Sequence, residues 1–63
     1  MHGRTILVID DNPGVRTALE VLLTMEGAAV EGVETAAAGL ARVSAGGVDL
    51  VIQDMRISVA VEP

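Results

Sequence analysis

Two short, strongly apolar segments that each lead into aspartate constrain the fold of this chain more than any other feature. The first runs from Thr5 to Ile9 and is followed by Asp10 and Asp11, and the second begins at Val48 and ends in Asp54. Aliphatic segments of this length are typical of strands whose two faces are both covered by helices. The sequence therefore predicts an α/β protein in which both segments are buried parallel strands.

The segment after the first strand carries the signals of a helix. Asn12 can cap its start, Pro13 suits the first helical position, and Gly27 after Glu26 is a natural stop. The prediction is a helix from Pro13 to Glu26. Its predicted buried stripe consists of the apolar residues at helical spacing: Val15, Ala18, Leu19, Leu22 and Leu23.

A second strand and a second helix are predicted between the two apolar segments. Residues 28–33 form a weaker, more polar strand candidate, as expected for an edge strand. Thr35 offers an N-cap, and the glycines at 46 and 47 end the helix that follows. The apolar stripe predicted on this helix is Ala36, Leu40 and Val43.

The predicted order of strand, helix, strand, helix, strand brings the aspartates together. Strands that alternate with helices pair in parallel through right-handed crossovers, and ligands collect at the carboxyl ends of such strands. Asp10, Asp11 and Asp54 all follow strands at that edge. We therefore expect the three carboxylates to share one rim of the sheet, although the Asp10–Asp11 pair taken alone could equally be a solvated turn before a helix.

Clustered carboxylates have a definite chemistry. They repel each other, so they favour a divalent cation, and Mg²⁺ suits a site made only of oxygen ligands and water. An aspartate can also act as the nucleophile toward a phosphoryl donor, provided that cations neutralise the charge on the transferring group. The predicted rim is thus a candidate for magnesium-assisted phosphorylation of an aspartate.

Composition excludes several other classes of function. The 63 residues carry a net charge of −5, and the four basic residues are all arginine, so a nucleic-acid surface is not expected. No apolar run approaches the length of a membrane span, and a cytoplasmic location is the expectation. The chain has no cysteine, so no disulfide can stabilise its small core. Self-association is another way to stabilise a small domain and is therefore a candidate here. An independent enzyme is not expected.

The two strand motifs resemble one known family. The segment Ile6 to Pro13 is similar to the first strand and acidic pair of response-regulator receiver domains of two-component signalling. The segment Asp49 to Met55 resembles their phosphorylation strand, and its Gln-Asp-Met wording is closest to receivers attached to sigma-54-dependent activators. The resemblance covers almost everything from Arg4 to Arg56.

This resemblance implies a set of roles. Asp54 would accept a phosphoryl group from a sensor histidine kinase, Asp11 would bind Mg²⁺ directly and Asp10 would assist through water. The backbone carbonyl of Arg56 would supply a further ligand. The implied fold is a truncated flavodoxin-like βαβαβ unit with parallel strands in the order 2-1-3, which is the N-terminal half of a receiver.

The departures from the family are equally specific. A full receiver has two further strands that bear a Ser or Thr and a Lys near the phosphoryl group, and this chain has neither strand and no lysine. Residues 1–56 are therefore interpreted as a partial receiver domain with compromised catalysis, and residues 57–63 as a divergent tail.

Alternatives remain at this point. The alternating tail predicts an added β-strand that pairs with a second copy in a homodimer or larger oligomer. The chain could instead be a non-phosphorylated module that binds a kinase or another receiver through an exposed face of the first helix, formed by Arg16, Thr17 and Glu20. It could also be a truncated product.

Overall fold

The computed structural model describes residues 2–53, so Asp54, Arg56 and the tail lie outside the described residues. In this part of the chain no helix is long and apolar enough to cross a membrane. Strands alternate with helices as predicted. The elements are β1 (Thr5–Ile9), α1 (Pro13–Met25), β2 (Ala29–Val33), α2 (Ala36–Ser44) and β3 (Leu50–Gln53).

The three strands form one parallel sheet in the order β2-β1-β3. Thr5 lies opposite Ala29 on one side, and Ile6 lies opposite Leu50 on the other. This arrangement confirms the predicted α/β class and strand order of a truncated flavodoxin-like fold. It also places the carboxyl ends of all three strands at one edge.

The core is centred on β1, whose last four residues are buried. Ile6 and Val8 pack with Leu19 and Leu23 of α1. The intervening Leu7 and Ile9 lie on the opposite face, because side chains alternate along a strand. The prediction that both faces of the first strand are covered is confirmed.

The predicted apolar stripe of α2 is wrong. Gly39 is the residue of this helix that is buried, whereas Leu40 is 69% exposed and Val43 is 42% exposed. A Cβ atom at position 39 would lie 2.9 Å from Cγ1 of Ile9, so the helix reaches β1 through its own backbone. Sequence periodicity cannot detect a contact made where a side chain is missing.

The predicted stripe of α1 is only partly correct. Leu19 and Leu23 pack on the core, but Leu22 is 59% exposed. Arg16 and Glu20 are half-buried instead, since both side chains lie over Gly32 of β2. The helix is therefore turned toward β2, because a glycine there leaves room for two long polar side chains.

β3 begins later in the sequence, at Leu50, and is more exposed than predicted. Asp49 precedes it: the Asp49 N–H donates to the Thr5 carbonyl at 2.8 Å, and its carboxylate accepts from the Thr5 N–H at 2.7 Å. Leu50 is 44% exposed and Val51 is 41% exposed. Within residues 2–53 the helices cover β1 and β2 better than β3, so the predicted burial of the third strand is wrong.

Candidate functional site at the carboxyl ends of the strands

Asp10 is a buried carboxylate at the end of β1, with only 3% of its surface exposed. Its N–H donates to the Val33 carbonyl at 3.0 Å, which extends the pairing with β2 by one step. Its Oδ1 accepts from the Asn12 N–H at 2.9 Å. One carboxylate oxygen is thus fixed by the backbone turn, and the side chain has a single defined direction.

Asn12 turns the chain from strand to helix. Its extended backbone and its Oδ1, which accepts from Gly14 N at 2.8 Å and Val15 N at 3.1 Å, make it the N-cap of α1. These contacts satisfy two amides that the first turn leaves without partners. The predicted cap is confirmed, and it leaves Asp11 exposed at the rim beside the buried Asp10.

Arg16 is a part of this site that the sequence analysis missed. Its Nη1 donates to the Asp10 carbonyl at 2.8 Å, and its own N–H donates to the Asn12 carbonyl at 3.0 Å. The guanidinium therefore holds the backbone of the residue that precedes Asp11. Arg16 lies one turn into a helix that starts beside the acidic pair. Its distance along the sequence from Asp10 was the signal that could have indicated this contact.

Replacing Arg16 with methionine is expected to lower the free energy of unfolding by about 1–3 kcal/mol, because a half-buried charged hydrogen bond to the Asp10 carbonyl is lost. Urea denaturation followed by circular dichroism measures the change. Thr17→Met is the matched control, since Thr17 is an exposed neighbour on the same helix and its change should stay within about 0.5 kcal/mol. Equal effects of the two substitutions would contradict this role of Arg16.

The predicted site is partly within the described residues. Asp10 and Asp11 lie at the end of β1, and Ile9 lies opposite Gln53, the last residue of β3. Asp54 is the next residue in the sequence, and both it and the Arg56 carbonyl lie outside the described residues. Residues 2–53 contain no group of three potential metal-binding side chains. The meeting of Asp54 with the acidic pair stays a prediction.

A second charged feature lies on the outer side of β2, away from the acidic pair. Arg42 of α2 donates from Nε to Glu31 Oε1 at 2.6 Å and from Nη2 to Oε2 at 3.0 Å. The hydrogen bond from Arg42 lowers the pKa of Glu31, and the same bond raises the pKa of Arg42. This pair links α2 to β2. It contributes little to stability, because both side chains are solvated.

Comparison with known proteins identifies the family. A model of the response regulator receiver domain family matches residues 6–60, which include all of β1 except its first residue, the acidic pair and Asp54. Searches of curated proteins and of solved structures gave no match. The match spans most of the 63 residues, and the three-stranded parallel sheet agrees with it. The chain therefore belongs to the response regulator receiver domain family.

Proposed function

We propose that this chain is a phosphoacceptor of two-component signalling, in which Asp54 receives a phosphoryl group from a sensor histidine kinase. The observation that supports it most directly is the buried, singly oriented Asp10 beside the exposed Asp11 at the carboxyl end of β1. β3 ends at the same edge, and Asp54 follows it in sequence. The family match includes all three aspartates.

The donor set at this rim suits Mg²⁺. Oδ1 of Asp10 is occupied by the Asn12 N–H, which leaves its second oxygen for a water of the ion, and Asp11 is exposed for direct contact. Asp54 and the Arg56 carbonyl would complete an all-oxygen site, which is the preference of this ion. Bound there, Mg²⁺ would supply positive charge to the transferring phosphoryl group.

The proposed reaction transfers a phosphoryl group from a phosphorylated histidine of the kinase to a carboxylate of this chain. An oxygen of Asp54 forms a bond to phosphorus, the phosphorus–nitrogen bond breaks, and the imidazole nitrogen keeps the electron pair and takes up a proton. The chain has no lysine to stabilise the transferring charge, and Arg16 is engaged at the Asp10 carbonyl. Transfer is therefore proposed to be slow compared with a complete receiver domain, and the chain turns over no substrate as an independent enzyme.

Incubation with a small-molecule acyl phosphate tests this function without a kinase. The expected result is the mass of one phosphoryl group added to the intact chain in the presence of Mg²⁺, and none when the ion is removed by a chelator. An unchanged mass in Mg²⁺ after prolonged incubation, with the chain folded by circular dichroism, would contradict the proposal.

A second candidate function is an interaction module that works without phosphorylation. The polar face of α1 predicted for this role is not free, because Arg16 and Glu20 are half-buried over β2. Three apolar side chains of α1 are exposed instead: Val21, Leu22 and Met25. Binding to a histidine kinase that survives both Asp54→Asn and removal of Mg²⁺ would favour this candidate.

The proposed function also implies a cellular location, an ancestry and a state of assembly for the chain. The chain would act in the cytoplasm, where histidine kinases present their phosphorylated histidine, and it would derive from receivers of the sigma-54 activator type. It would also associate with itself, since β3 is an exposed strand at the edge of the described sheet.

A further inference from the structure

The side chain of Asp11 is not held by any contact of its own within the described part of the chain. It is exposed, and among residues 2–53 its carboxylate has no hydrogen-bonding partner. A side chain of this kind points where its backbone and its rotamer direct it. The direction of Asp11 therefore depends on what holds the two peptide groups that flank it.

The peptide group before Asp11 is held by Arg16. Nη1 of Arg16 donates to the Asp10 carbonyl at 2.8 Å. That oxygen belongs to the same planar group as the Asp11 N–H, so the hydrogen bond orients the whole plane. A guanidinium is also a stronger donor than a neutral group. Rotation about the N–Cα bond of Asp11 is thereby restricted.

The peptide group after Asp11 is held by the Asp10 carboxylate. The Asn12 N–H donates to Oδ1 of Asp10 at 2.9 Å, and the Asn12 carbonyl accepts from the Arg16 N–H at 3.0 Å. Asp10 is buried, and its own N–H donates to the Val33 carbonyl at 3.0 Å. Both backbone torsions of Asp11 are thus restricted by hydrogen bonds to Asp10, which is itself fixed to β2.

Arg16 reaches this carbonyl by lying over Gly32 of β2. A Cβ atom at position 32 would lie 3.2 Å from Cδ of Arg16, which is closer than ordinary van der Waals contact. The missing side chain lets the half-buried Arg16 lie flat against the strand. Contact with β2 then limits the positions that the guanidinium can adopt.

We propose that Arg16 is a positioning residue for the metal site and sets the affinity for Mg²⁺ by fixing Asp11 before the ion binds. This step rests on the proposed function, which places Mg²⁺ at Asp11. A ligand that is already held in place loses less conformational freedom on binding, so the ion binds more tightly. Groups that orient metal ligands typically contribute about 10- to 100-fold to affinity.

The charge of Arg16 has the opposite effect on Mg²⁺. The guanidinium lies beside the acidic pair, and a positive charge near the site repels a cation. If this repulsion dominated, removal of Arg16 would strengthen Mg²⁺ binding. If positioning dominates, the same removal weakens binding, so the sign of the change separates the two effects.

Titration of the full chain with Mg²⁺, followed at the Asp11 amide by nuclear magnetic resonance, measures that sign. Arg16→Met should raise the dissociation constant by about tenfold or more. Arg4→Met is the matched control, because it removes the same charge from an exposed residue at the far end of the sheet, and it should change the constant by about twofold at most. An unchanged or lower constant in folded Arg16→Met, or equal increases in both variants, would overturn the proposal.

The backbone order of Asp11 tests the positioning without any metal. In the Mg²⁺-free wild type the order parameter of the Asp11 amide should be about 0.85, the value of rigid backbone, although Asp11 is exposed beyond the end of β1. Arg16→Met should lower it toward about 0.6, whereas Thr17→Met should leave it unchanged. A wild-type value below about 0.6, or equal values in the two variants, would overturn the proposal. The wild-type value needs no substitution, so it decides the matter even where Arg16→Met does not fold.

These measurements separate the role of Arg16 from the proposed function. Failure of the wild type to bind Mg²⁺ would overturn the metal site of the proposed function, whereas loss of order at Asp11 in Arg16→Met would still show that Arg16 holds this residue. Equal Mg²⁺ binding by the wild type and Arg16→Met would overturn the positioning role and leave the proposed function standing.

Discussion

Asp54→Asn is expected to abolish phosphorylation of the chain by an acyl phosphate in Mg²⁺. The amide of asparagine is a poor nucleophile and carries no negative charge, so the variant loses both the attacking oxygen and a proposed ligand of the ion. Intact mass after incubation measures the effect directly. The predicted outcome is a phosphorylated fraction for the wild type and none for the variant.

Asp49→Asn is the matched control for that experiment. Asp49 belongs to the same segment but lies at the opposite end of the sheet, where its carboxylate accepts from the Thr5 N–H. Asparagine keeps an oxygen that can accept this bond, so the variant should fold and be phosphorylated like the wild type. Loss of phosphorylation in Asp49→Asn, or its survival in Asp54→Asn, would move the acceptor away from position 54.

Leu7→Ala is expected to leave the chain largely unfolded. Leu7 is fully buried in the central strand, and truncation of such a leucine lowers the free energy of unfolding by about 2–5 kcal/mol. A small domain without disulfides has a total of only about 5 kcal/mol or less. Thermal and urea denaturation followed by circular dichroism should therefore show loss of the cooperative transition or a large fall in its midpoint.

Leu40→Ala provides the comparison for Leu7. Leu40 is mostly exposed on α2, so its truncation removes little buried surface and should change the free energy of unfolding by about 0.5 kcal/mol at most. A stable Leu7→Ala variant, or a Leu40→Ala variant equally destabilised, would contradict a core centred on β1.

The parts of the fold that follow from local chemistry could be predicted from the sequence. The apolar run at Thr5–Ile9 needs cover on both faces, and the structure provides it. Asn12 and Pro13 define the start of α1 because Asn is a preferred N-cap and Pro suits the first helical position. Alternation of strands and helices predicts their parallel pairing, whereas the order β2-β1-β3 was implied by the resemblance to receiver domains.

The rotation of each helix on the sheet could not be predicted, since it depends on the partner surface. Gly32 opens space for Arg16 and Glu20, which turns α1 toward β2 and exposes Leu22. Gly39 brings α2 onto Ile9 by its backbone and leaves Leu40 outside. In both cases a missing side chain decides the packing, and apolar spacing gives no sign of it.

The candidate site also has features that could be predicted from the sequence and features that could not. Asp10 and Asp11 could be placed at the strand end from sequence, because a strand followed by a capped helix fixes their position. The hydrogen bond from Arg16 to the Asp10 carbonyl could not, because it depends on the direction of a long side chain. The proximity of Asp54 to the pair is still supported by topology and family membership alone.

Nuclear magnetic resonance titration of the labelled chain with Mg²⁺ tests the central claim most directly. The account predicts that the amide signals of Asp10, Asp11 and Asp54 shift together with one dissociation constant, and that Asp54→Asn weakens binding seen at Asp10 and Asp11. Shifts confined to Asp10 and Asp11 and unaffected by Asp54→Asn, or no shifts at all, would contradict it.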